Sequence, residues 1–372
     1  MHFTISKDCF LRGLGKVQGI VEKRNTIPIL SNVLIEAKNN EVIFTATDLE
    51  VGIQTSYDSN IKENGKITVS AKKIYEIVKE LPDYEISFKA KDNSWIEIRC
   101  NKSVFNIVGL SSEEFPYFPE FDNVNFLQIN SDTLKEMLEK TSFSISNDET
   151  KYNLNGIFIK NVKINDIKKL RFVSTDGHRL SLIQKEIKIN EFPELNKGVI
   201  IPKKGIMELR KIVDDNIDVI NIGFIDNNAV IKQGKTNLLM RLVDGEFPDY
   251  DRVIPKDNNI NIEIDVNNLF HALKRISILA SEKSKGIKLS FNENNLVISS
   301  SNPDYGDAKE DVSIDYSGPE ISIGFNAKYL LDILGGYTED KIKLSIKDNL
   351  SPGLITPIDN SDYFAVVMPM RL

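Results

Sequence analysis

The chain says nearly the same thing three times, and nothing else constrains its fold as tightly. Residues 70–77 (SAKKIYEI), 202–209 (PKKGIMEL) and 326–333 (NAKYLLDI) share one grammar. A lysine (Lys72, Lys204, Lys328) is followed two residues on by Ile74, Ile206 or Leu330. An acid stands four residues after each lysine (Glu76, Glu208, Asp332), and Ile77, Leu209 or Ile333 comes next. The offsets are 132 and 124 residues, far beyond the roughly 20 to 50 residues of a solenoid unit. The repeat is therefore a duplicated domain. A motif present in all three copies reads as architecture, and a motif present in one copy is a candidate for function.

A second helical pattern repeats in register. Phe10, Leu14 and Val17 match Leu134, Leu138 and Thr141, and then Leu269, Leu273 and Ile276. These are one-sided patterns at helical spacing, preceded in two copies by the capping-type residues Ser6 and Ser131. At about 100° per residue, Lys16, Lys140 and Arg275 are expected to point away from the apolar stripe.

A third piece is a strand running into a turn. Phe44–Asp48 matches Phe172–Asp176 and, more loosely, Ile298–Asn302. Asp or Asn at one turn position is a side-chain-to-backbone turn former. Runs such as Val33–Ala37, Trp95–Cys100, Val219–Phe224 and Ile342–Ile346 are β-rich, and Asn, Asp and Gly turns bound them. Each copy thus reads as two helices on a largely antiparallel sheet, an α+β fold. Boundaries fall at 1–121, 122–252 and 253–372.

The hydrophobic share of 41% suffices for three cores. No run approaches 18 apolar residues, and the amino terminus lacks a signal-peptide pattern, so no membrane partner is expected. Cys9 and Cys100 form neither a framework nor a metal spacing, which suits a reducing cytoplasm. No cofactor and no metal is expected. The formal net charge of −7 conceals segregation: the six predicted helices carry +8, so the remainder carries −15. Basic helices inside an acidic shell point to a polyanion.

Two nucleotide-binding motifs fail. Gly234-Lys235-Thr236 would need glycine at position 229, which is Ala229, and it joins two strand-like runs. Gly13-x-Gly15 would need glycine at 18, which is Gln18, and lies inside a helical pattern. Asp176 with His178 could be an acid–base pair, but Asp176 is matched by Asp48 and Asn302, which makes it a turn residue. The Gly177-His178-Arg179 string is confined to the second copy and reads as a binding element. The chain also ends on an apolar segment, Ala365–Leu372 with Met368 and Met370, where a frayed polar tail is usual. Such a segment is either a last core strand or the wall of an adaptable pocket.

Taken together, several strings closely resemble the bacterial DNA polymerase III beta subunit, the sliding-clamp family. They are Arg24 with Thr26–Leu30, Thr47–Glu50, Tyr152-x-Leu154-Asn155-Gly156, Thr175–Leu180, Leu242–Tyr250, Ile323–Asn326 and Val366–Leu372. The resemblance runs the whole chain in register. It implies a non-catalytic subunit of a DNA-directed polymerase complex, in which two chains form a closed six-domain ring around duplex DNA. It also implies replicative and repair polymerases and an ATP-dependent clamp loader as partners.

By this resemblance Arg24, Lys72, Lys79, Lys151, Tyr152, Lys204 and Lys211 contact DNA, although Asp148-Glu149 makes the neighbouring loop acidic. A partner-peptide groove would use Leu154, Thr175, Gly177, His178, Arg179, Leu180, Pro248, Arg252, Val253, Asn326 and Tyr329. Val366, Val367, Met368, Pro369 and Met370 would complete it. The dimer seam would place Phe105 and Ile107 against Ile278 and Leu279, with Arg99 and Lys102 near Asp304 and Asp307. Two other readings stay open on the residues alone: a hydrolase centred on Asp176 and His178, and a multidomain scaffold whose basic helices are merely solvated.

Overall fold

The computed structural model describes residues 1–21, 27–121, 124–187, 193–213, 217–359 and 362–371. Its helices are α1 (Lys7–Gln18), α2 (Ala71–Glu80), α3 (Ser131–Ser142), α4 (Pro193–Lys197), α5 (Lys203–Ile212), α6 (Val266–Ile276) and α7 (Ala327–Leu334). The two helices expected per copy are α1 and α2, α3 and α5, α6 and α7; α4 is a short extra. Every strand pairing among the described residues is antiparallel, as expected.

Chain contacts gather into two compact units. The first is Met1–Asp132 with Lys204–Leu242, and the second is Thr133–Lys203 with Val243–Leu372. The central copy is shared: nearly all of α5 belongs to the first unit and nearly all of α3 to the second. Repetition and compactness therefore divide this chain differently.

In the first unit, strand Thr236–Arg241 of the central copy pairs with Val51–Asp58 of the first copy, Leu239 opposite Gly52. That pairing joins strands of both copies into one eight-stranded sheet. In the second unit, Tyr363–Val367 of the third copy pairs with Arg179–Glu186 of the central copy, Val366 opposite Leu180. This seam also completes an eight-stranded sheet. A five-stranded sheet in the first unit ends on the edge strand Ser103–Val108, and a four-stranded sheet in the second ends on Gly306–Ser313.

The helical stripes bury as their spacing predicts. Phe10, Leu14 and Val17 of α1 are buried, as are Leu269, Leu273 and Ile276 of α6. Phe3, Phe10, Phe44 and Phe88 form an aromatic core, with Phe3 and Phe88 stacked at 4.8 Å. Each such burial contributes roughly 1.5–3 kcal/mol. Gly13 is explained here: a Cβ would lie 2.6 Å from the Phe44 ring, so the glycine lets α1 approach the sheet. Ser6 caps α1, accepting from Cys9 N–H at 3.3 Å. At α3 the capping oxygen sits one residue earlier than expected. Asn130 Oδ1 accepts from Asp132 N–H at 3.0 Å, while Ser131 donates to the Ile217 carbonyl.

One expectation is overturned. Lys140 does not point into solvent; it is buried with 3% of its surface exposed. The flank of α3 opposite its own stripe is covered by Tyr337 and Tyr363 of the third copy. Lys16 is also partly covered and donates to Thr236 Oγ1 at 3.0 Å, whereas Arg275 stays exposed beside Glu310.

Candidate peptide groove and nucleic-acid face

The turn that ends strand Ile167–Thr175 is built by its own side chains. Asp176 Oδ1 accepts from His178 N–H at 2.9 Å and Arg179 N–H at 3.0 Å. Asp48 caps Glu50 and Val51 in the same way, and Asn302 caps Asp304. The three-copy turn is thus architecture, and Asp176 is occupied by it. In the first two copies the backbone turns left-handed one residue on, and Gly177 does so at φ 90°. Leu49 holds the equivalent place in the first copy at φ 78°, a conformation costly for a side chain.

The residues unique to the second copy meet the carboxy terminus. Met368 N–H donates to the His178 carbonyl at 2.9 Å, and Met370 N–H to the Gly324 carbonyl at 2.8 Å. The apolar tail is therefore docked on two sheets. On one face of the seam, Leu180 and Val366 join Val173, Leu182 and Tyr250 in an apolar cluster, with Phe158 and Phe247 packed against it. Pro248, Arg252 and Val253 lie exposed on the segment that carries Tyr250, and Met368 is 39% exposed. Val367 is fully buried, because alternation turns it to the opposite sheet face from Val366.

Arg179 organises the adjoining polar side. It donates to Asp176 Oδ2 at 3.1 Å, to Asp332 Oδ2 at 2.7 Å and to the Phe143 carbonyl. Its guanidinium lies 4.5 Å from the centre of the Tyr329 ring, a cation–π contact, and His178 stacks on the same ring at 6.4 Å. Burial, with Asp176 and Asp332 nearby, pushes the Tyr329 phenol up, so the ring stays neutral. Asn326 caps α7 and donates to the Ser284 carbonyl at 3.2 Å. Thr175 donates to the Arg179 carbonyl at 2.6 Å, and Leu154 is buried beside Tyr152. All sixteen expected groove residues fall in the second unit. Tyr250, Leu182 and Val173 pack with the expected residues Leu180 and Val366, and Asp332 holds Arg179, although none of the four was expected there; the repeated acid of the helix motif was the available signal for Asp332.

The equivalent seam of the first unit is different in kind. Where the second unit has Leu180, Leu182 and Val173, the first has Gly52, Gln54 and Thr45. Phe118 lies over Gly52, with its ring 3.0 Å from where a Cβ would be. The 630 Å³ cavity there is lined by Gln54, Thr45, Lys66, Lys232, Asn237 and Phe121 among others. One seam is apolar and the other polar, on the same framework.

The expected DNA residues are placed as follows. Lys72 and Lys79 are exposed on α2, with Lys72 3.8 Å from Glu76. Lys211 is exposed and pairs with Glu208 at 2.7 Å, while Lys204 pairs with the buried Asp48. Lys151 stands 4.0 Å from Asp148, and Tyr152 is 59% exposed. Arg24 lies outside the described residues. Lys72 and Lys211 are thus partly neutralised by acids of their own helices and Lys204 by the first copy's turn; the Lys72–Glu76 pair, exposed on both sides, is weak enough to exchange for phosphate. At the expected dimer surfaces Phe105 and Ile278 are exposed, Ile107 and Leu279 half-buried, and Lys102, Asp304 and Asp307 exposed. Arg99 pairs with Glu97 at 2.5 Å, which, with Lys91, holds that carboxyl down to about 2.

Repeated two-helix domains, antiparallel sheets that run from copy to copy, and an apolar seam beside a docked carboxy terminus define a DNA polymerase sliding clamp. Models of the DNA polymerase III beta subunit match throughout: the N-terminal domain over 1–119, the central domain over 128–249 and the C-terminal domain over 251–371. The chain belongs to this family. It is 36% identical over 373 residues to the beta sliding clamp of Pseudomonas putida, covering all of both chains. Among solved structures, the sliding clamp of Caulobacter crescentus superposes with a TM-score of 0.91 at 34% identity over the full length of both. The griselimycin-bound clamp of Bartonella birtlesii gives 0.94 at 35% identity, again over the full length of both. The enzyme and scaffold readings fall away with this membership.

Proposed function

We propose that two copies of this chain close head to tail around duplex DNA and carry polymerases on it through the apolar seam of the second unit. The observation that carries the reading is the docking of the carboxy-terminal methionines beside Leu180, Val366 and the His178–Tyr329 stack. This supplies an apolar surface, backed by the buried Arg179 and flanked by Asn326, on which a short extended peptide could seat its apolar anchors. The exposed edge strand with Phe105 and the exposed Ile278 supply two different surfaces. A heterologous contact between them closes a two-membered ring.

In such a ring DNA is held through phosphates by Lys72, Lys79, Lys204, Lys211, Lys151, Tyr152 and Arg24, without base readout. Loose grip with topological closure gives processivity while permitting sliding. The chain itself contributes no chemistry; a separate ATP-dependent loader opens the ring, replicative and repair polymerases are the clients, and the setting is the cytoplasm.

The test is loading on nicked circular DNA with loader and ATP, followed by linearisation. Release on linearisation is expected, since a linked ring slides off an end. Retention after linearisation would mean ordinary affinity binding and would overturn the ring.

A further inference from the structure

Lys140 occupies the same position of the repeat as Lys16, and each reaches the first residue of a seam strand from the next copy. In the first unit Lys16 donates to Thr236, which opens strand Thr236–Arg241. In the second, Lys140 Nζ lies 4.8 Å from the centre of the Tyr363 ring, and Tyr363 opens strand Tyr363–Val367. The repeat has kept a cation between helix and seam while changing what it touches.

Around Lys140 the contacts are extensive. Its ammonium is 3.2 Å from Glu136 Oε1 and 3.5 Å from Glu339 Oε1, and 5.9 Å from the Tyr337 ring centre. Lys185 holds the other oxygen of Glu136 at 2.7 Å. Tyr337 in turn donates to the Ile355 carbonyl at 3.2 Å, on the strand that pairs with Tyr363–Val367. The Lys140 carbonyl accepts from Ser181 and the Thr141 carbonyl from Ser174, both on the strands behind the groove. Tyr363 leads in five residues to Val367 and then to Met368, Pro369 and Met370.

We infer that Lys140 is a positioning residue for the peptide groove: it holds the strand Tyr363–Val367 against α3 and so fixes where Met368 and Met370 stand. This rests on the groove reading above. Removing the ammonium takes away the cation that ties the partly exposed Glu339 to α3 and leaves the covered space against the Tyr337 and Tyr363 rings without its charge. The strand and loop must then shift apart, and the tail that the strand carries moves with them.

The experiment measures binding of a fluorescein-labelled peptide, taken from the carboxy-terminal tail of a bacterial replicative polymerase, to the full-length protein by anisotropy and stopped flow. Lys140→Met is expected to weaken binding about tenfold, chiefly through faster dissociation. Lys140→Arg should restore affinity to within about twofold, because it keeps the cation. Lys16→Met, the same repeat position in the first unit, should leave peptide affinity unchanged although it lowers stability. If Lys140→Met does not fold, Glu339→Gln reads the same coupling and should weaken the peptide about twofold to threefold. Unchanged peptide affinity in the folded Lys140 or Glu339 variant would overturn the inference while leaving the groove intact. Equal loss in Lys16→Met would also overturn it, since the effect would then be general destabilisation. No binding by the unaltered protein would overturn the groove reading itself and the inference with it.

Discussion

Arg179 Nη1 stands 2.7 Å from Asp332 Oδ2, joining a turn of the central copy to a helix of the third. The same guanidinium lies under the Tyr329 ring and is only 7% exposed. One side chain therefore sets the relation between the turn that presents His178 and the helix that presents Tyr329. The position opens a strand whose first-copy equivalent is Val51, so this tie exists in one seam alone.

Arg179→Met keeps most of the apolar stem and removes every charged hydrogen bond. It should cost about 2 kcal/mol of stability, since it strands Asp332 and the Phe143 carbonyl. Peptide affinity should fall at least about tenfold as Tyr329 loses its support. Urea unfolding and peptide anisotropy check the two effects; unchanged affinity in a folded variant would remove Arg179 from the groove.

Deleting Met368–Leu372 should abolish peptide binding and leave the dimer intact. The tail contributes two backbone hydrogen bonds and the exposed Met368, none of them at the surfaces expected to join the chains. Analytical ultracentrifugation alongside anisotropy separates these outcomes. Full peptide affinity in the truncated protein would refute the groove assignment.

The double variant Lys72→Ala with Lys79→Ala should bind DNA with a shallower salt dependence. Each lost phosphate contact lowers the slope of log K against log salt by about one. A drop of about two is therefore expected, with no change in peptide affinity. A slope equal to that of the unaltered protein would take α2 off the DNA face.

Acid should loosen the tie between α3 and the strand Arg179–Glu186 of the same copy, which the Glu136–Lys185 pair makes. Burial by itself would raise the Glu136 carboxyl, but hydrogen bonds and charge from Lys185 and Lys140 outweigh it and hold the pKa below 4.5. A depressed carboxylate contributes stability that is fully present above its unfolded pKa and is lost as pH falls through its folded value. The melting temperature should thus decline as pH falls below about 4.5, and the decline should be smaller in Glu136→Gln. Parallel melting curves for the two proteins from about pH 6 to pH 3 would show that Glu136 is not linked to folding.

Leu49 sits at φ 78° where the second copy has Gly177. Leu49→Gly relieves a left-handed side chain at some entropic cost and should be neutral to about 1 kcal/mol stabilising. Leu49→Val adds a β-branch to the same conformation and should destabilise by about 1 kcal/mol. Chemical denaturation of both variants measures the difference; a stabilised valine variant would show that the turn can relax.

The threefold repeat, the helical stripes of Phe10, Leu14 and Val17, and the Asp or Asn turns were legible in the residues, because each depends on neighbours within a few positions. The apolar tail and the Gly177-His178-Arg179 string stood out as departures from that repetition, and the family membership follows from the whole string. Tyr250 and the buried ammonium of Lys140 were not legible in this way, and the repeat marked Asp332 without showing that it would meet Arg179. Spacing reports which side of a helix faces its own sheet; it says nothing about whether a strand from the next copy covers the other flank. That coverage is decided by the pairing of Arg179–Glu186 with Tyr363–Val367, about 180 residues apart in the chain. The sequence by itself determined three α+β copies and the local form of their turns. Only the tertiary structure decided which seam became apolar, which cations were buried, and how two compact units share the central copy, because those depend on contacts no local pattern encodes.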